Sequence, residues 1–457
     1  MTHKECSQGL IHICLLSAVA LTLASSASAE WKEKVLYSFQ GGAEAGSVPA
    51  GGVVFDKQGN LYGVTSDGGG VYQLAPPAKQ GDPWTESVLY VFQGNSKGDG
   101  ATPEGGLIID SAGNLYGTTA YGGTGNCVLL GNLVGCGTVY ELSPPAQKGG
   151  QWTETILYSF PTAKQGYFPW GDLVFDGEGN LYGATVFGGS KGTACDKFYG
   201  GQCGVVFELS PAKTKGGKWT EKVLHGFAGI SSGQQTGNGA EPNGGLTLDA
   251  TGAIYGTTYI GGYNCPHHSN QGCGTAFKLG PPSKQGGAWT ETVLYRFNGT
   301  PDGGVPSAGL VFDAKGNLYG TTLGGGGGRS GSGTVFKLTH NANGEWTERL
   351  LYSFQGQSDG AEPRAGVVFD TRGNVFGTAS VGGAGQTAGG TIFELRPSGR
   401  SWSFAVLHTF MGKPDGSWPA SSLILDAAGN LFGTTEGSGT GQACGNNGCG
   451  TAFEVEP

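Results

Sequence analysis

The chain has 457 residues, 91 of them glycine, with 13% charged residues and a formal net charge of −9. The negative balance argues against a nucleic-acid partner. The glycines recur in register between short runs of Val, Ile, Leu, Tyr and Phe, which argues against a disordered, low-complexity chain and for all-β structure with many turns.

The first segment reads as an export signal. Lys4 precedes the apolar run at 10–24 and the small-residue site Ala27-Ser28-Ala29, the layout of a secretory signal peptide over residues 1–29. Export to the periplasm or beyond is therefore expected. No later stretch is apolar over the length a spanning helix needs, so no membrane span is expected.

From Trp31 onward one pattern repeats seven times, beginning at Trp31, Trp84, Trp152, Trp219, Trp289, Trp346 and Trp402. A unit of this size cannot bury its own apolar face, so its copies must pack on one another. Each repeat offers four strands: WTExVLYxF with alternating apolar positions, the nearly continuous GLVFD, then NLYGTT and TVFEL. Between the second and third runs stands Asp-x-x-Gly-Asn or a close variant, a hairpin signal. Its aspartates are Asp56, Asp110, Asp176, Asp249, Asp313, Asp370 and Asp426, and a side chain capping its own turn explains them better than a metal ring does.

Seven four-stranded antiparallel units predict a seven-bladed β-propeller as one domain over 30–457. With GLVFD innermost, the chain begins on an outer strand (31–39) and ends on a third strand. The first strand then completes the last blade and closes the ring, leaving no open sheet edge.

The repeat GLVFDxxGNLYGTTxxGG…GCGTVFEL resembles the Gloeobacter–Verrucomicrobia tandem repeat (GloVer) over nearly all of 31–457. That resemblance implies an exported bacterial repeat protein with varied or absent anchors, and it brings no catalytic residues with it. Single copies drift from the pattern, as at Ala253, Ala379 and Ser421-Ser422.

Cysteines fall in local pairs before the closing strand: Cys127/Cys136, Cys195/Cys203, Cys265/Cys273 and Cys444/Cys449. In an exported chain these read as disulfides. Cys265 with His267, His268 and Cys273 has the residue types of a zinc site, but the equivalent pairs lack histidine, which favours a bridge. Gly188-Gly189-Ser190-Lys191-Gly192 matches a nucleophile elbow only by letter, as chance allows in so glycine-rich a chain.

The strand order puts the loops leading into the inner strands on one face, with the long loops before GCG. That face is where binding residues are expected. Each loop into an inner strand carries a proline: Pro49, Pro103, Pro169, Pro242, Pro306, Pro363 and Pro419. Asp99, Asp302, Asp359 and Asp415 stand in four of these loops. Their carboxylates would take a hard cation such as Ca²⁺, against the simpler reading of Asp-Gly turns. No other cofactor is expected. Tyr121, Phe187, Tyr259, Trp170 and Trp418 would suit a sugar or a protein surface if exposed, or pack beneath their own loops if not. Glu104, Glu362 and above all Asp172 and Glu436 are the carboxylates that could meet across the rim for acid–base work on a polysaccharide. The expected function is a non-enzymatic binding or scaffold propeller, its partner a carbohydrate or an envelope or extracellular protein. The alternative is a polysaccharide hydrolase or lyase with Asp172 and Glu436 as catalytic candidates.

Overall fold

The computed structural model describes residues 31–457 apart from 43–45, 80, 130–131, 148, 190–194, 196–202, 215–216, 231–236, 264–271, 285 and 328–330. The predicted signal segment, the Gly188–Gly192 motif beyond Gly189, and Cys265 with His267 and His268 lie outside the described residues.

The seven repeats form seven antiparallel sheets of a β-propeller. The blade of the fifth repeat is typical: Val311–Phe312 innermost, then Leu318–Thr322, Thr334–His340 and the outer Trp346–Ser353. The last blade takes its outer strand from the start of the chain, as expected. Lys32–Ser38 pairs antiparallel with Thr451–Glu456, with Glu33 opposite Val455. Leu36 and Phe39 are thereby buried with Phe432, and with Val53, Leu61 and Tyr72 of the first blade.

The core lies between blades. Four outer-strand tryptophans pack edge-on against an aromatic ring of the preceding blade: Trp152 on Tyr62, Trp289 on Tyr182, Trp346 on Tyr255 and Trp402 on Tyr319. The glycine of the LYGTT strand makes room for a third-strand ring. A Cβ on Gly320 would lie 2.6 Å from Phe336 Cζ.

The turn aspartates behave as read. Asp110 Oδ1 accepts the amides of Ala112 and Asn114, and Oδ2 accepts Asn114 Nδ2 and Tyr116 Oη. These donors hold its carboxyl below the usual range against the opposing effect of burial.

The innermost strand is shorter than the GLVFD run suggests. Outside the first blade only two residues of it pair with the second strand. At three junctions the carbonyl ahead of the inner strand is used between blades. Thr257 Oγ1 donates to Ala308 O, Thr321 Oγ1 to Ala365 O and Thr378 Oγ1 to Ser421 O.

Candidate functional site

The rim of the channel rests on a backbone device that recurs around the ring. The residue before each rim proline is left-handed: Val48, Thr102, Phe168, Glu241, Val305, Glu362 and Trp418 have φ between 55° and 61°. None is glycine, and two are valine, so each conformation costs ~1–2 kcal/mol. The preceding blade offsets that cost. Val305 N donates to Cys273 O at 2.7 Å, Glu241 N to Cys203 O at 2.8 Å and Glu362 N to Ser332 O at 2.9 Å. The carbonyl accepting each bond belongs to the middle residue of the GCG segment or its equivalent. The proline that follows lies on the last glycine of that segment, so a Cβ on Gly274 would sit 2.6 Å from Pro306 Cδ. Both the glycines and the prolines thus latch one blade to the next.

The latch aims side chains at the axis. The positions just after the prolines (Ala50, Glu104, Trp170, Asn243, Ser307, Arg364 and Ala420) line one cavity of about 280 Å³ at the channel mouth. Tyr259, Leu323 and Glu436, which follow the Thr-Thr pair of their strands, complete its wall. Below them glycines bring the inner strands together backbone to backbone. A Cβ on Gly105 would lie 2.8 Å from the carbonyl oxygens of Trp170 and Gly171.

Asp172 breaks this glycine lining. It occupies the place held by Gly52, Gly106, Gly245, Gly309 and Gly366 in other repeats. Its Oδ1 accepts the Gly106 amide at 2.5 Å, and its Cβ is the nearest atom to the missing Cβ of Gly245. Burial raises its pKa, opposed by that one amide.

Two further carboxyls share the cup. Glu104 is pushed up to about 7, by burial first and then by the charge of Glu436. Glu436 is itself raised by burial, and Arg364 opposes the shift. Arg364 Nη2 meets Glu362 Oε2 at 3.0 Å. The mouth therefore holds three carboxyls against one guanidinium, with Trp170 42% exposed and Trp418 41% exposed at the rim.

The structure sorts the expected residues. Asp172, Glu436, Glu104, Trp170 and Tyr259 come together. Trp418 lies beside them, its carbonyl accepting the Glu436 amide at 3.1 Å. Phe187 is buried, and Tyr121 packs on Phe168 with ring centroids 4.5 Å apart in the same cluster, so those two rings support the loops from beneath. The four rim aspartates are engaged by their own loops. Asp99 accepts Tyr90 Oη and the Gln93 amide, Asp302 accepts Tyr295 Oη, and Asp359 accepts Tyr352 Oη and the Gln355 amide. Asp415 meets His408 Nε2 and the Met411 amide. Cys127–Cys136, Cys195–Cys203 and Cys444–Cys449 are bridged, and Cys273 is also disulfide-bonded. Arg364, Asn243 and Ser307 were not anticipated. Aligning the repeats on their rim prolines would have found all three.

The profile of the Gloeobacter/Verrucomicrobia repeat matches residues 21–265, 127–346 and 265–457. The chain belongs to that repeat family. No curated protein matches the sequence of this GloVer-repeat protein. Among solved structures it is similar to a polysaccharide lyase of family PL25, an ulvan lyase bound to -[GlcA(1-4)Rha3S]-, at 10% identity and TM-score 0.50 over 89% of this chain and 90% of that one. A luciferin-regenerating enzyme is similar at 12% identity and TM-score 0.42 over 93% and 95% of the two chains. A protein of unknown function from Dyadobacter fermentans is similar at 12% identity and TM-score 0.42 over 83% and 98%. At these identities the likeness is one of fold.

Proposed function

We propose that this GloVer-repeat protein is an exported propeller that binds a carbohydrate at the mouth of its central channel. The observation that carries the reading is the exposed Trp170 indole standing over a cup lined by Glu104, Asp172, Tyr259, Arg364 and Glu436. A sugar offers an apolar face to an aromatic ring and hydroxyls to carboxylates, which is what such a wall accepts. The cup lies near the lower end of the roughly 300–1,000 Å³ range of small-molecule sites, room for a chain end or a short segment. Its excess of carboxyls favours neutral or basic sugars over uronates. Export is supported by the apolar leader at 10–24 and by the disulfides.

A glycan array followed by calorimetry tests the reading. Trp170→Ala should abolish binding of whichever glycan the native protein retains, with the fold intact by circular dichroism. An array on which no glycan is retained would refute it.

A second reading, a polysaccharide hydrolase or lyase, is favoured by Glu104 held at about 7 beside Glu436. One carboxyl that keeps its proton near neutrality and another that gives it up are the requirements of acid–base catalysis. Release of reducing ends from a polysaccharide, lost in Glu104→Gln while binding persists, would select this reading.

A further inference from the structure

A second constellation lies away from the mouth, on the seam where the ring closes. Five of the seven junctions between neighbouring outer strands follow one plan. A tyrosine near the end of one outer strand hydrogen-bonds either the aspartate of the loop that follows or the outer-strand glutamate of the next blade. Tyr90 meets Asp99 at 2.9 Å with Glu154 beside them, and Tyr295 meets Asp302 at 2.6 Å with Glu348 beside them. Phenol, carboxylate and carboxyl hold these junctions without any metal-binding nitrogen.

Histidine takes the tyrosine position at two junctions. At one, His225 faces Glu291 at 3.5 Å and its loop offers Asn238 in place of the aspartate. At the closing junction His408 stands between two carboxyls, Asp415 in the loop and Glu33 on the first strand of the chain. His408 Nε2 lies 3.1 Å from Asp415 Oδ1. One ligand atom each from Glu33, His408 and Asp415 lies within 4.8 Å of the others, a grouping found nowhere else among the described residues. Glu33 Oε1 is buried without a hydrogen-bond partner, as is the same atom of Glu86, Glu154, Glu221, Glu291 and Glu348, and only Glu33 has both a histidine and an aspartate within reach. The histidine and aspartate side chains each keep about a fifth of their surface open to solvent, which leaves a way in for an ion.

We infer that Glu33, His408 and Asp415 form a divalent transition-metal site, of the kind that takes Zn²⁺, clasping the first strand to the last loops of the ring. Bonds of ~2.0–2.1 Å to imidazole nitrogen and carboxylate oxygen place neighbouring ligands about 3.3 Å apart in a tetrahedral shell. The 3.1 Å between His408 and Asp415 matches that spacing. One imidazole and two carboxylates make a three-ligand set with a fourth position for water. The nitrogen ligand disfavours Ca²⁺ and Mg²⁺, which take oxygen. Because Glu33 is far in sequence from His408 and Asp415, the ion would cross-link the first strand to the last loops of the ring.

The rival role for His408 is that of a tyrosine surrogate, and one substitution separates the two roles. His408→Tyr restores the plan of the Tyr90 and Tyr295 junctions and removes the nitrogen ligand. In equilibrium dialysis of the full chain, one Zn²⁺ should bind per molecule. Affinity should fall at least tenfold in His408→Tyr, since even the loss of a group that merely orients a ligand costs 10–100-fold. Zn²⁺ should raise the melting temperature of the native protein and leave that of the variant unchanged, and Ca²⁺ should do neither. Glu33→Gln provides the same comparison if His408→Tyr does not fold. The inference is overturned if Zn²⁺ does not bind, if His408→Tyr binds it as tightly as the native chain, or if affinity disappears only with His267→Gln and His268→Gln.

Discussion

Glu348 offers the sharpest test of the electrostatics between outer strands. Burial, and then the charge of Asp302, push its carboxyl up to about 7 from an ordinary 4.5, and its Oε1 has no hydrogen-bond partner. The folded protein therefore keeps this proton through a range in which the unfolded chain releases it. Between about pH 4.5 and 7 the unfolded state binds fewer protons than the folded one, so the contribution of Glu348 to stability falls as pH rises and levels off above 7. At face value, at 1.36 kcal/mol per pH unit, ionising the group in place costs ~3.4 kcal/mol. Glu348 is only partly buried, and screening by water reduces this to about 1–2 kcal/mol. Glu348→Gln carries no charge to impose. It should therefore be about 1–2 kcal/mol more stable than the native protein at pH 8 and equal to it at pH 4.5, measured as urea midpoints by tryptophan fluorescence. The sixth blade supports such a substitution: Phe404 takes the glutamate position and stacks on Tyr352 with centroids 3.8 Å apart. A variant that is destabilised equally at both pH values would show that Glu348 is ionised throughout, and the reasoning would fail.

Asp172→Asn keeps the acceptor for the Gly106 amide while removing a carboxyl whose pKa burial raises. It should be more stable than the native protein at pH 8 and equal to it at acid pH, by urea midpoint, and lose glycan affinity in calorimetry. Gly320→Ala drives a methyl to 2.6 Å from the Phe336 ring and should cost ~1–3 kcal/mol in urea midpoint. Cys127→Ser with Cys136→Ser opens a bridge with a sequence separation of 9. It should cost roughly 2–3 kcal/mol yet leave a folded protein with near-native circular dichroism, because the GSG and AGG segments around Ser332 and Gly389 sustain the same latch without cysteine.

The ring and its closure were legible because they depend on properties that repeat: apolar runs, turn aspartates and the order of four phrases. Starting at Trp31 on an outer strand and ending at Glu456 on a third strand can only be reconciled by closure. Asp172 stood out because it interrupts a glycine pair. Arg364 did not, because a search for repeated residues passes over a position that holds six different residues in seven copies. Tyr121 and Phe187 show a different limit. Whether a ring faces water or lies beneath its loop depends on where Phe168 falls, and that is a matter of packing between blades. The rim prolines were read as loop markers, and their role as latches appears only when Pro306 is seen against Gly274 of the preceding blade.

That latch separates what holds the rim from what the rim displays. The positions beside each proline are fixed by an amide, a carbonyl, a proline ring and a glycine, none of which uses the side chain at the neighbouring position. Ala50, Asn243, Ser307 and Ala420 can therefore be exchanged for aromatic, acidic or basic residues with little effect on the ring, as Trp170, Glu104 and Arg364 already illustrate. Duplication of such a repeat multiplies recognition positions on a frame that need not be reinvented each time. The side chains at the mouth can then vary independently of the frame that presents them.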